Sequence, residues 1–590
     1  MEYVVFVLAL AVFVLAVFIM EAVRAAKQKK DFIRMLYEDY EKIIEKKYPL
    51  ERYEKMDSFF RRHRQEGQLD NITWNDLGMD EIFKRMNYTL SASGEEYLYY
   101  VLRTLKQDSG ELEHLEEMIR FFGDHPHERV QLQFVISKLG YTGKYSLYDY
   151  MDNLDLLGTR SNRRNILCDL LFLPLIGLLW VQFSVGIMGI VLLIIYNILT
   201  YFKEKNEIDP YITSFSYIMR LMHVCGELEK ISIPVCHEEW ECIRAARKQL
   251  QGMRQNSYWV MSPQRGNASG DILAVLMDYI RMVFHVDLIK FNSMLCVLRG
   301  HMEDVDSLIQ VVGALETAIS IWAFRSSLQK ERTQNQSCSL QEGSIQEGKD
   351  TGWCIPEFIL ESTEALSLEI REGYHPLLEE PVKNGIYADR GVLLTGSNAS
   401  GKSTFLKTVA INAILAQTIH TCAADRYRAP FFHVYSSMAL RDDIASGESY
   451  YIVEIKALKR ILDAASTGTS PVLCFVDEVL RGTNTIERIA ASTQILKTLS
   501  RSNILCFAAT HDIELTEILQ EDFANYHFEE DVRDGDVFFN YKLQTGKATT
   551  RNAIKLLALM GYEQEIIEKA TAQAEHFAAT GAWVETISKQ

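Results

Sequence analysis

Residues 391–404 constrain this chain more than any other stretch. Gly391-Val-Leu-Leu-Thr395 is a short apolar run of strand length. It is followed by Gly396-Ser-Asn-Ala-Ser-Gly401-Lys402-Ser403-Thr404, and then by apolar residues at helical spacing from Phe405 to Ala416. A G-x-x-x-x-G-K-[ST] element between an apolar strand and a helix is a phosphate loop. Its backbone N–H groups can wrap an anion, and the helix that follows adds the positive end of its dipole. The expected ligand is ATP with Mg²⁺. Its cradle is Gly396, Ser397, Asn398, Ala399, Ser400, Gly401, Lys402, Ser403 and Thr404. Lys402 is expected to reach the β- and γ-phosphates, and Ser403 to hold the metal.

Two further apolar runs fit parallel strands of the same sheet. Val472-Leu-Cys-Phe-Val476 ends in Asp477-Glu478, and Asn503-Ile-Leu-Cys-Phe-Ala-Ala509 delivers Thr510-His511. Buried parallel strands read as unbroken apolar runs, and α/β sheets bind ligands at the carboxyl ends of their strands. Asp477 is therefore a candidate for Mg²⁺ or its bound water, Glu478 for polarising an attacking water, and His511 for sensing the γ-phosphate. The fold class expected for residues 356–590 is an α/β P-loop ATPase domain.

The N-terminal half reads differently. Residues 3–20 form an unbroken apolar run, preceded by Glu2 and followed by Arg24, Lys27, Lys29 and Lys30. The run is about long enough to span a bilayer core, and it lacks the basic start of a cleaved signal. Residues 166–201 are again apolar, with a break at Gln182, Ser184 and Gly186. Arg160, Arg163 and Arg164 stand on one flank, Lys203 and Lys205 on the other. That length suits a two-helix hairpin, and the basic flanks place both of its ends in the cytoplasm. The remaining N-terminal segments carry apolar residues at helical spacing. Residues 330–352 are polar and read as a linker.

The formal net charge of −17 does not draw a polyanion to the whole surface. DNA would need a local basic patch or a clamp. The ten cysteines include no CxxC pair, which argues against a zinc site and for a reducing compartment.

Together these segments resemble the MutS family. Residues 395–404 resemble its phosphate loop, and residues 477–485 (Asp-Glu-Val-Leu-Arg-Gly-Thr-Asn-Thr) resemble its Asp-Glu-x-x-Arg-Gly-Thr segment. Ala509-Thr-His511 with Glu514-Leu-Thr516 resembles its histidine switch. Asp442-Asp-Ile-Ala-Ser-Gly447-Glu-Ser449-Tyr-Tyr-Ile-Val-Glu454 resembles its signature, and Tyr374-His-Pro-Leu377 its Gly-x-His-Pro. The five motifs fall in the family's order over about two hundred residues. The resemblance implies that Gly447 and Ser449 of one subunit complete the ATP site of another, so the ATPase domain is expected to form a homodimer. Residues 82–98 are similar to the start of the MutS core domain, where a Thr-x-x-Gly element precedes the lever helices; here Ser91-Ala-Ser-Gly94 stands in that place. The chain departs from the family where a mismatch-reading domain would precede the core, and where Arg551-Asn-Ala553 replaces Ser-Tyr-Gly. It also shows no basic cluster with interleaved aromatics.

The expected order is a transmembrane anchor (1–24), a cytoplasmic helical region with the start of the core-like domain (25–160), and a transmembrane hairpin (161–203). A second helical region (204–330), a linker (331–355) and the ATPase domain (356–590) follow. In fold class this is an α/β ATPase domain preceded by an all-α core-like region with transmembrane helices. The expected function is that of a multi-pass cell-membrane ATPase, its ATPase domain cytoplasmic, working as a homodimer coupled to DNA. The alternative is a mechanical ATPase acting on a membrane or protein partner.

Overall fold

A computed structural model describes residues 2–38, 46, 48, 53–142, 146–158, 160–253, 279–339, 352–360, 366–397, 400–438, 450–467, 470–480, 483–533, 536–547, 554, 557–558, 560–581 and 583. The chain divides into two units. The first comprises Met1–Arg64, Met86–Tyr100 and Glu116–Ala323; the second comprises Gln65–Arg85, Val101–Leu115 and Phe324–Gln590.

The first unit is helical. Its opening helix, Glu2–Glu38, carries the apolar run expected as an anchor. The expected hairpin consists of Arg163–Leu170 and Phe172–Val181, then a turn at Gln182, then the 46-residue helix Phe183–Leu228. Among the described residues three helices are long and apolar enough to cross a membrane. In Arg163–Val181 and Phe183–Leu228 only 17% and 11% of the most apolar window is buried, whereas in Met302–Lys330 the figure is 78%. The last is thus a core helix, its apolar face already covered by protein. The two hairpin arms leave theirs open, with Trp180 at the tip 90% exposed.

The core of this unit gathers Phe59, Phe215, Tyr217, Phe291, Leu295 and Leu315. Its sharpest constraint is at Gly94, in the element similar to the MutS core. A Cβ there would lie 2.1 Å from Glu316 Oε2. That carboxylate sits at the start of helix Ala92–Arg103 and accepts from the Leu90 N–H and the Ser91 hydroxyl. Only glycine leaves room for this contact.

The second unit holds two sheets. The strands are β1 (Glu357–Phe358), β2 (Leu368–Gly373), β3 (Asn384–Ala388), β4 (Gly391–Thr395), β5 (Arg426–Ala429), β6 (His433–Ser437), β7 (Val472–Asp477), β8 (Ile504–Ala509), β9 (Phe523–Arg533) and β10 (Asp536–Thr545). The larger sheet has the order β10-β9-β4-β8-β7-β6, parallel except for the β9–β10 hairpin; the smaller has the order β1-β5-β2-β3. β4, β7 and β8 are buried along their whole length. Their apolar side chains pack against helices Tyr450–Thr467 and Thr485–Thr498 through Leu458, Ile461 and Leu496. Cys474 and Cys506, opposite one another on β7 and β8, are fully buried members of this core.

Two expectations change. The polar stretch expected as a linker from residue 330 begins as helix, because Met302–Ser339 continues through it. Gln, Glu, Lys and Arg propagate a helix that is already nucleated by its buried part. Residues 65–85 and 101–115, expected within a separate helical region, belong to the second unit. Helix Asn71–Leu77 lies along the edge strand β6. Asp76, 3% exposed, accepts from the Ser436 hydroxyl at 2.7 Å and the Met438 N–H at 2.9 Å. Asp70 caps its own helix through the Thr73 N–H at 2.8 Å and pairs with Arg460 at 2.9 Å; Arg460 also donates to the Ser436 carbonyl. An edge strand presents unpaired backbone groups that must be covered, and side chains of this short helix cover these.

Candidate nucleotide-binding site

The phosphate loop lies where β4 meets helix Lys402–Ile419. Gly396 has φ 143°, and a Cβ there would approach the Phe528 carbonyl to 2.8 Å, so glycine is required for both reasons. The Lys402 ammonium is held over the loop, donating to the carbonyls of Gly396 at 2.8 Å and Ser397 at 2.7 Å. The Ser397 hydroxyl donates to Glu530 on β9 at 2.8 Å. The Ser400 hydroxyl is buried and has no hydrogen-bond partner among the described residues. Asn398 and Ala399 lie outside the described residues, as do Gly447 and Ser449.

Three strand ends converge on this loop. Asp477, the last residue of β7, accepts a 2.5 Å hydrogen bond from the Ser403 hydroxyl. The next residue, Glu478, has φ 58°, and its N–H is anchored to the Ala509 carbonyl at 2.9 Å. A left-handed conformation at a non-glycine residue is costly and tends to occur where function demands it. Here it turns the carboxylate to His511, with Glu478 Oε1 2.8 Å from His511 Nε2. His511 is placed by its neighbours. The Thr510 N–H bonds the Leu394 carbonyl of β4, and Asp512 receives a two-pronged hydrogen bond from Arg488 at 2.9 and 2.5 Å. Buried Glu454 accepts from the Leu480 N–H and fixes the backbone beyond Glu478.

A cavity of about 540 Å³ opens beside the loop, bordered by Lys402, Ser403, Thr404, Glu478 and His511 at one end and by Leu378, Val382, Phe528 and Tyr541 at the other. Its size falls in the range of small-ligand sites. The polar end suits a polyphosphate and the aromatic end a base. His375 also borders it. Burial, aided by the charges of Lys407 and Arg85, pushes its imidazole down to about 4, so the ring is neutral at physiological pH. Asn384 ties the wall together, donating to the Tyr541 carbonyl and accepting from the Leu543 N–H.

The described site residues expected from sequence thus meet in one place. The aromatic end, Phe528 and Tyr541, was not legible as a site. No local motif marks those positions; the β9–β10 hairpin brings them there.

A phosphate loop opening a helix, an acidic pair at the end of the neighbouring strand and a histidine at the next strand end define a P-loop ATPase-type domain. Residues 392–578 match the family model of MutS domain V. The DNA mismatch repair protein MutS of Thermus aquaticus is 32% identical over 217 residues, covering 36% of this chain and 26% of that protein. The protein of the same description from Thermus thermophilus is 31% identical over 229 residues, covering 38% of this chain and 28% of that protein. That from Lactobacillus acidophilus is 28% identical over 277 residues, covering 45% and 32%. Residues 392–578 therefore carry a domain of the kind found in the MutS family. The matched stretch spans only 26% to 32% of the length of these relatives.

Proposed function

We propose that this chain is a membrane-anchored, Mg²⁺-dependent ATPase that hydrolyses ATP in a composite site shared by two copies. The observation that carries the reading is the Ser403–Asp477 contact of 2.5 Å beside Lys402, with Glu478 and His511 paired at 2.8 Å. A hydroxyl and a carboxylate in contact at a helix N-terminus are hard oxygen donors suited to Mg²⁺. The buried Ser400 hydroxyl adds a donor for a phosphate oxygen. Bound Mg²⁺ would neutralise developing phosphate charge. Lys402 holds the β- and γ-phosphates, Glu478 orients and polarises the attacking water, and His511 holds the Glu478 carboxylate. Leu378, Phe528 and Tyr541 take the adenine. Ser449 and Gly447 of a second copy close the site over the γ-phosphate, so ATP binding and homodimer closure favour each other.

The exposed apolar hairpin supports a multi-pass anchor in the cell membrane with the ATPase domain cytoplasmic. The names of the relatives support DNA as what the closing dimer acts on. A second reading, motion delivered to a protein or lipid partner, is favoured by the hairpin itself, which joins the helical unit to a bilayer. The central test measures ATP turnover by the full chain in detergent, with and without Mg²⁺. Lys402→Ala is expected to abolish turnover, and undiminished turnover by that variant would sink the site. Salt-dependent DNA binding, losing about 10³-fold or more between 50 and 200 mM salt for a many-phosphate contact, separates the two readings.

A further inference from the structure

The hairpin arms change character abruptly at one level. On the first arm the outward-facing apolar residues begin at Ile166 and Leu167; on the second they end at Leu199 and Phe202. Within the next turn of both arms lies a cavity of about 320 Å³. Three cations line it, Arg160, Arg164 and Lys203, against two carboxylates, Glu204 and Glu207. Arg160 pairs with Glu207 at 2.6 Å, and Arg164 pairs with Glu204. Lys203 has no ion pair among the described residues. The Arg160 Nε–H is buried, again without an acceptor among the described residues. One positive charge is therefore unbalanced, and one buried guanidinium donor is unused. A buried N–H without an acceptor is costly. An arginine beside a lysine offers a phosphate both fixed and movable donors.

We propose that this cavity binds the phosphate of an anionic phospholipid, taken from the leaflet at which both ends of the hairpin emerge. The inference rests on the membrane reading given above. Non-bridging phosphate oxygens accept from Arg160 Nε–H and from the Lys203 ammonium, and the Ser161 hydroxyl is in reach of the same cavity. The acyl chains then run along Ile166, Leu167 and Phe202, which begin where the charges stop. A zwitterionic lipid carries a compensating cation on its headgroup and gains less from an unbalanced positive charge. A soluble phosphate monoester shares the phosphate chemistry but leaves the apolar border unused.

The experiment uses the full chain in detergent and follows thermal unfolding while dioleoyl phosphatidylglycerol, dioleoyl phosphatidylcholine or glycerol 3-phosphate is added. Phosphatidylglycerol is expected to raise Tm by a few degrees in a saturable way, as a ligand of the folded state must, with little response to the other two. In Arg160→Gln/Lys203→Gln the half-saturating lipid concentration rises about tenfold or more. Glu207→Gln, which removes the competing carboxylate, shifts it the other way by several-fold. A merely structural role for these residues would not give opposite signs. Lys27→Gln/Lys29→Gln, next to the first helix's apolar run, serves as the control and keeps the wild-type response. Equal responses to the two lipids, or an unchanged response in the double variant, overturn the proposal. An equal response to glycerol 3-phosphate assigns the cavity to a soluble phosphate and overturns the lipid source. Recovery of the wild-type chain in the soluble rather than the membrane fraction of cells would instead sink the membrane reading itself.

Discussion

Asp76→Ala is the substitution whose cost the second unit fixes most closely. The carboxylate is 3% exposed and accepts two hydrogen bonds, from the Ser436 hydroxyl at 2.7 Å and the Met438 N–H at 2.9 Å. Hydrogen bonds to a charged group contribute about 1.5–3 kcal/mol each, and a buried donor left unmade costs the desolvation of that group. Some relaxation lets water reach the site, so the expected loss is about 3–4 kcal/mol. For a unit of this size each kcal/mol moves the midpoint by roughly 2–4 °C, and the unit's transition should fall by roughly 6–15 °C. Both bonds go to one oxygen, Oδ2, so Asp76→Asn can keep both with its amide oxygen there, losing only their charge assistance, and should lose clearly less than the alanine variant. Hydrogen exchange of the full chain locates the effect. The amide of Met438 and the peptide covering β6 should lose protection, while β8, at the centre of the sheet, keeps it. A midpoint lowered by less than about 2 °C in the alanine variant, or loss of protection spread evenly over the sheet, would refute the view that helix Asn71–Leu77 seals the edge of β6.

Glu478→Gln should bind ATP and hydrolyse it at least about 10²-fold more slowly, since an amide cannot polarise water as a carboxylate does; a loss below about threefold in single-turnover assays moves that role elsewhere. Burial raises the Glu96 carboxyl to about 8, with Ser146 donating against the shift. Its contribution to stability is complete below the ordinary value of 4.5 and is lost as pH rises through about 8. Glu96→Gln should therefore flatten the decline of the first unit's unfolding midpoint between about pH 5 and 8. Ser449→Arg and Lys402→Ala chains should each be inactive alone yet recover part of the activity when mixed, because one composite site of the heterodimer keeps both good halves. No recovery in demonstrated heterodimers would contradict the shared site.

The parts of the second unit that were legible in sequence are those set by local rules. β4, β7 and β8 are short apolar runs ending in chemistry, so period and motif agree, and Asp477, Glu478 and His511 come together because adjacent parallel strands end at one level. The hairpin was legible because its apolar arms exceed what a globular core needs. What was not legible is tertiary. Nothing local in residues 65–85 marks them as the cover of β6, since Asp70, Thr73 and Asp76 are ordinary polar residues of a short helix until Ser436, Met438 and Arg460 are placed beside them. The helical course to Ser339 was hidden because a polar composition describes a solvated helix as well as a loop.

The helix that begins at the phosphate loop has a second anchored end. It runs from Lys402 to Ile419, about 27 Å at 1.5 Å per residue, and stops where His420 adopts φ 52°. There the Arg325 guanidinium, fully buried, donates to the His420 carbonyl and the Thr421 hydroxyl, each at 2.9 Å, while its face lies 4.3 Å from the Trp353 ring. A cation at a helix C-terminus complements the dipole as a phosphate does at the N-terminus. A buried charge is tolerated only with its partners in place, which ties this end of the helix to the segment carrying Arg325. Midway, Asn412 bonds the Tyr374 carbonyl and the Ala423 N–H, so the helix cannot rotate without breaking buried hydrogen bonds. Arg325 lies on the helix Met302–Ser339, whose earlier turns carry Glu316 beside Gly94. The carboxylate that makes Gly94 obligatory and the guanidinium that clamps the phosphate-loop helix thus belong to one continuous helix.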